Sequence, residues 1–310
     1  MALGMFALTG ASCPTVVDQY KIATGPTLPA APTLAEVIDM VDANSARVQS
    51  LYSTDAAISG PGMPTLNASL ALSRPRRFRL RAETALSGPE VDLGSNDELF
   101  WFWVRRNEPP ALYYCRHDRF AQSNARQLLP VQPEWLIEAL GVPRFDASDR
   151  HTGPEVLPDG RLRVVSTITK PEGPFRRELV VDATRGFVLE QHLHDASGNR
   201  IASAVASEHQ RDPLTNAVLP RTIDAEWPQA AFSMRIRLHE LQVNYIDADQ
   251  ERLWTLPEWS GMQTVDIGHP NFRPPVPRSS MRDAPPAARS AQPVIVHKQP
   301  LGWLSRVIRR

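Results

Sequence analysis

From Thr33 onward the apolar residues Leu34, Val37, Ile38, Val41, Val48 and Leu51 recur at helical spacing. Asp39, Asp42, Asn44 and Gln49 fall between them, so the pattern predicts one amphipathic helix. Thr33 and Glu36 open it as a capping box, in which each side chain can satisfy the other's backbone amide. The period then changes to two. In 66–72, Leu66, Ala68, Leu70 and Leu72 share one face. In 77–83, Phe78, Leu80 and Ala82 alternate with Arg77, Arg79, Arg81 and Glu83, and the arginines are expected on a solvated face. Residues 91–93 and 99–104 read as a hairpin around Gly94-Ser95-Asn96-Asp97. Leu99 to Val104 is apolar on both strand faces and must be covered on both. Residues 133–140 predict a short helix with Trp135, Leu136 and Leu140 apolar.

A second β series follows a loop at 153–159. Strands are expected at 162–169, 175–182, 187–194 and 201–208, separated by turn sequences with glycine where a positive φ would be needed. Strands at 219–227 and 232–245 complete the series. In the last, Phe232, Met234, Ile236 and Leu238 share a face, and the apolar set then slips to Leu241, Val243 and Tyr245, which predicts a bulge near His239 or Glu240. About eleven strands joined by short loops make a mainly β fold with a few helices. A twisted sheet of that size must curl or close. The expected architecture is a single strongly curved antiparallel sheet, a half-barrel, covered by the N-terminal amphipathic helix and the short lid helix.

The 29 prolines in 310 residues agree with a β fold rich in turns. The formal charge is zero, but from Arg273 onward eight Lys and Arg face the single Asp283, so the tail carries +7 and the body −7. An acidic body argues against nucleic-acid binding, which needs a basic face on the folded part. No apolar run approaches the ~20 residues of a membrane-spanning helix.

Residues 1–12 are small and apolar, as in the apolar region of a signal peptide. The basic residues that usually precede such a region are absent, which places the expected natural start upstream of Met1. Gly10-Ala11-Ser12 before Cys13 resembles a bacterial lipobox, apart from Gly10 where leucine is usual. Cys13 is therefore the candidate lipidation site.

Catalytic patterns are sparse. His192 and His194 lie two apart on a strand with Glu190 on the same face, which is the best metal-like grouping, but it is expected on a solvated outer face without a further ligand. Cys115, with only His117 nearby, reads as a buried structural thiol. No nucleophile elbow, phosphate loop or dinucleotide glycine pattern occurs. No catalytic residue, metal or cofactor is assigned.

Leu70-Ala71-Leu72-Ser73-Arg74-Pro75-Arg76-Arg77-Phe78 resembles the strand–Arg-Pro–strand signature of the periplasmic lipoprotein carriers and receptors, the LolA/LolB-like fold family. Residues 92–103 are similar to that family's hairpin, 133–140 to its lid-like helix, and Leu253-Trp254-Thr255-Leu256-Pro257 to its closing strand. The match spans roughly 33–267. The resemblance implies a non-catalytic envelope protein that holds acyl chains or lipoproteins in an apolar cavity, as a carrier or an anchored acceptor. It implies a cavity and lid built from Leu70, Leu72, Phe78, Leu80, Trp101, Trp103, Trp135 and Leu136, and a switch role for Arg74, which would bond the lid until ligand enters. Two alternatives stand beside it: an envelope-stress sensor on the same fold, and a metal-dependent hydrolase using His192 and His194. The expected organisation is a signal and lipobox segment (1–13), a tether (14–32), the half-barrel domain (33–270) and a Pro-rich basic disordered tail (271–310). The protein is expected to be exported and to face the periplasm. Its expected partners are acyl chains or lipoproteins, and a membrane held through a lipid anchor and the tail, whose last ten residues mix Trp303, Leu304, Val307 and Ile308 with arginines.

Overall fold

The computed structural model describes residues 25–107, 109–127, 133–170, 173–245 and 248–274. The signal segment with Cys13 and nearly all of the basic tail lie outside these. Helix α1 (Leu34–Ala46) precedes a first meander of β1 (Ser50–Gly60), β2 (Met63–Ser73), β3 (Arg77–Thr84), β4 (Gly88–Ser95), β5 (Leu99–Val104) and β6 (Leu112–Arg116). Two short helices follow, α2 (His117–Phe120) and α3 (Pro133–Ala139). The second meander contains β7 (Arg150–Val156), β8 (Leu162–Lys170), β9 (Gly173–Val181), β10 (Val188–His194) and β11 (Arg200–Ser207). It continues through the small pair β12 (Gln210–Arg211) and β13 (Val218–Leu219) to β14 (Thr222–Trp227), β15 (Phe232–Leu238) and β16 (Gln242–Val243), and β17 (Thr264–Asp266) comes last.

Fifteen strands form one sheet, more than the expected eleven, in the order β17-β6-β5-β4-β3-β2-β1-β15-β14-β11-β10-β9-β8-β7, with β16 also on β1. The two meanders join through the antiparallel β1–β15 pair, and the sheet ends on β17 and β7 without closing. It is mixed, because β17 runs parallel to β6. The segment 253–257, expected as a closing strand, instead leaves a 3₁₀ turn at 248–254 and crosses the sheet as a strap. The predicted bulge is present: the amides of His239 and Glu240 both donate to Asp55 O.

One face of the sheet carries the core. Residues paired across strands share a face, so Leu51, Leu72 and Phe78 line up, as do Leu70 with Leu80 and Ile58 with Leu66 and Ile236. Three covers lie on this face. Val37 and Val41 of α1 pack on Leu162, Val164, Leu179 and Val181. Trp135, Leu136, Ile137 and Leu140 of α3 and its exit pack on the central strands. Phe120 of α2 packs on Phe100, Tyr113 and Cys115. The capping box at Thr33 forms as expected, with Thr33 N donating to Glu36 Oε2 at 2.7 Å and Glu36 N to Thr33 Oγ1 at 3.3 Å. The helix ends at Ala46, so Val48 is a buried connector and Leu51 belongs to β1 rather than to a longer helix. Leu28, within the expected tether, is buried in the α1 cluster and donates its amide to Thr184 O.

The opposite face of β3–β5 is covered by the strap, which satisfies the two-sided apolar pattern of 99–104. Arg79 corrects the expectation of a solvated arginine row. It is buried, donates to Asp92 at 2.6 Å and to the carbonyls of Leu253 and Thr255, and stacks on Trp101 at 5.0 Å. Trp101 lies against Gly94, its cross-strand partner, where a Cβ would stand 2.1 Å from the indole. Only glycine leaves room for that ring.

Candidate ligand-binding site

Six of the proposed cavity residues, Leu70, Leu72, Phe78, Leu80, Trp135 and Leu136, come together in the core cluster beneath α3. Trp101 and Trp103 do not join them. The cross-strand register places both on the opposite face, where Trp101 pairs with Gly94 and Trp103 meets Trp259 edge-on at 5.0 Å. Arg74 stands at the C-terminal end of α1, donating through Nη1 to Ser45 O at 2.6 Å and Val48 O at 3.3 Å. Burial lowers its affinity for the proton, with the charge of nearby Arg144 adding to the effect and Glu138 and Asp42 opposing it. Its side-chain hydrogen bonds therefore hold the end of α1, and none goes to α3 among the described residues.

Beside α3 a cleft of about 700 Å³ opens between the helix, the 144–149 loop and strands β8–β10. Its floor is the partly exposed trio Ile168, Phe175 and Leu193, with Trp135 and Phe145 in its walls. Ile168 and Phe175 are cross-strand partners, and the same face of β9 carries Arg177 and Leu179. The charged residues around this cleft are not evident from local sequence. Glu134 and Glu138 are one helical turn apart on α3, and both are held by the body of the fold. Glu134 meets Arg76 at 3.1 Å and His117 at 3.6 Å. Glu138 accepts from Arg177 at 2.9 Å and from Gln191 at 3.2 Å. Arg177 also donates to Arg144 O at 2.7 Å and lies over the Phe145 ring. A single signal could have found this group: Arg177 interrupts the apolar row Phe175, Leu179 and Val181 on one strand face.

Ser95, His117 and Glu134 stand in the order of a nucleophile, base and orienting acid, with Ser95 Oγ 3.4 Å from His117 Nε2. His117 Nε2 is 2.9 Å from Asn96 O, however, and a carbonyl only accepts. The ring hydrogen is therefore on Nε2, which cannot take a proton from Ser95. Cys115 is buried, and desolvation pushes its thiol up to about 11, as for an inert structural thiol.

His192 and His194 do lie on the face away from the core, but both are buried, contrary to the solvated surface expected. They are enclosed by an ionic ladder. His192 bonds Ser203 and Glu190 at 2.9 Å each, and Arg161 also bonds Glu190. Burial pushes the Glu190 carboxyl up, but hydrogen bonds from Arg161 and His192 outweigh it and take the pKa below the usual value. Burial lowers the His194 pKa, with Arg176 and Arg200 adding to this and Glu178 opposing it. Among the described residues no three His, Cys, Asp or Glu side chains converge where a metal could sit. None of the described helices is long and apolar enough to cross a membrane.

No family model and no curated protein matches the chain. Solved structures with a similar arrangement of strands do exist. One is described as an outer membrane lipoprotein-sorting protein domain from Vibrio parahaemolyticus, at 11% identity and a TM-score of 0.48, covering 69% of this chain and 94% of that one. A DUF1329 family protein from Desulfovibrio piger has 12% identity and a TM-score of 0.46, covering 72% and 99%. A LolA superfamily protein from Nitrosomonas europaea has 10% identity and a TM-score of 0.46, covering 73% and 99%.

Proposed function

We propose that the chain is a non-catalytic binding protein of the bacterial envelope, exported and facing the periplasm, that takes acyl chains of lipids or lipoproteins beside and beneath α3. The observation that carries this is the cleft. Its volume of about 700 Å³ lies within the range of small-molecule sites. Its floor of Ile168, Phe175 and Leu193 adjoins the apolar face that α3 covers, with Leu193 packed against the core cluster, so a chain entering the cleft and displacing α3 would reach that face past the buried Arg177. Each buried CH₂ contributes ~0.8 kcal/mol, and no bond of the ligand has to change. Acylation of Cys13 and contact of the basic tail with anionic lipid belong to the same proposal and rest on the sequence alone.

A fluorescent fatty-acid probe tests the site. Phe175→Glu puts a carboxylate on a partly exposed floor position, so probe affinity should fall by roughly tenfold or more while the melting temperature stays close to wild type. Equal affinity in the two proteins would remove the cleft from the binding site. Native mass spectrometry of protein purified from membranes should show a retained lipid.

Arg74 is proposed to pin the closed state through α1, another cover of the core face, rather than through α3. An arginine hydrogen bond of this kind contributes ~1.5–3 kcal/mol, enough to shift a closed-to-open ratio by ~10- to 150-fold. Arg74→Leu should therefore speed uptake and release of the probe with the sheet intact. Unchanged kinetics would reduce Arg74 to a turn residue, and loss of the fold would make its role structural.

A further inference from the structure

We propose that Arg177 is the receptor for an anionic head group, so that the preferred ligand of the cleft is a negatively charged amphiphile, with Glu138 holding the place of that anion in the closed state. The inference deepens the acyl-binding reading and rests on it.

Arg177 lines the cleft, although its side chain is only 4% exposed. Its guanidinium is incompletely used. Nη1 donates to Glu138 and Nη2 to Arg144 O, while the buried Nε has no hydrogen-bond partner. Gln191, buried beside it, gives its amide to the same Glu138 carboxylate and leaves its own Oε1 unpartnered. A guanidinium presents donors in a fixed fork suited to two oxygens of one carboxylate or phosphate, whereas Glu138 Oε2 here accepts from Arg177 and Gln191 together. The occupant therefore fills the receptor imperfectly.

The charges around the mouth balance and do not bar an incoming anion. Of the lining acids, Glu134 is paired with Arg76, and Glu138 is held by Arg177 and Gln191. Asp146 accepts from the amide and hydroxyl of Ser148, and neither it nor Asp149 is in an ion pair among the described residues. Against these two acids stand Arg144 and Lys170, both exposed at the cleft and neither in an ion pair among the described residues. The apolar floor lies alongside, with Leu193 the cross-strand partner of Arg177 and Phe175 two residues before it on the same face. A carboxylate or phosphate on Arg177 would thus leave its alkyl chain on Phe175, Ile168 and Leu193. It would also displace Glu138, and with it one of the two acidic holds on α3. Head-group capture and loosening of the cover become one event.

The full chain should be titrated with a fluorescent fatty acid, the methyl ester of the same acid, and the corresponding alkyl phosphate. The fatty acid or the phosphate is expected to bind about tenfold more tightly than the ester, the worth of one charge-assisted hydrogen bond, and the better of the two identifies the head group. Glu138→Gln keeps a hydrogen-bonding side chain but removes the competing charge, and should raise affinity for the anionic probe by more than it raises affinity for the ester, which gains only from the loosened hold on α3. Arg177→Met should abolish the difference between probes. If Arg177→Met does not fold, the Glu138→Gln comparison decides alone. Equal binding of all three probes, or equal gain for ester and acid in Glu138→Gln, would overturn the anion receptor and leave acyl binding standing. No binding of any probe would overturn both.

Discussion

Asp92→Ala is expected to lower stability by about 3–5 kcal/mol in urea unfolding, because it leaves the Arg79 guanidinium charged and enclosed. The two side chains are 3% and 6% exposed and 2.6 Å apart. Burial lowers the Arg79 pKa, and Asp92 is the charge that opposes the loss. The remaining partners of Arg79, the carbonyls of Leu253 and Thr255, cannot neutralise it. Arg235 and Asp224 serve as the control. Their bidentate pair is half exposed, and Asp224→Ala should cost no more than about 1 kcal/mol. Arg79→Met combined with Asp92→Leu should recover much of the loss, since an apolar pair of similar volume needs no neutralisation. A cost for Asp92→Ala no greater than for Asp224→Ala would mean that water reaches the pair and that the strap is a loose cover.

The second large effect is expected at Trp135. Its indole is buried under α3 and meets Trp227 edge-on at 5.5 Å, within the cluster that holds Leu70, Leu72 and Phe78. Trp135→Ala should cost about 3–5 kcal/mol, the usual range for emptying an aromatic site. The vacated volume adjoins the cleft and is lined by apolar side chains, so it should accept an acyl chain. Added fatty acid should therefore raise the melting temperature of Trp135→Ala more than that of wild type. If the variant is destabilised but gains nothing from the ligand, Trp135 is a packing residue and the binding path runs elsewhere.

Much of the core face was legible because its strands keep a strict period. Leu66 to Leu72 and Phe78 to Ala82 fall on one side, as their alternation required, and the Thr33–Glu36 cap marks the start of α1. β1 was hidden because it bulges between Ser53 and Ala56, so Leu51, Ser53, Ala56 and Ile58 share a face without sharing a phase. β7 was hidden by scarce apolar residues and by the irregularity between Thr152 and Glu155. The strand 99–104 misdirected the site itself. Apolar on both sides, it gave no sign of which face held the core, and Trp101 and Trp103 turned out to serve the strap. The acid–base holds on α3 join 76 to 134 and 138 to 177, and partners so far apart in the chain leave no local pattern.

The seam between the meanders sets an order of assembly. As the chain emerges, β1 can pair at once with β2 through a two-residue turn, and β3 to β6 can add in sequence. The other edge of β1 must wait for β15, which lies beyond the whole of β7–β14. Until then Ala56 and Ile58 flank a row of unsatisfied amides and carbonyls that any passing strand could take. Asp55, exposed at the bulge, puts a charge and an irregularity on that waiting edge, a natural gatekeeper against the wrong partner. Once β15 arrives, Asp55 O receives the amides of His239 and Glu240, and the residue that guarded the open edge becomes the fastening that closes it.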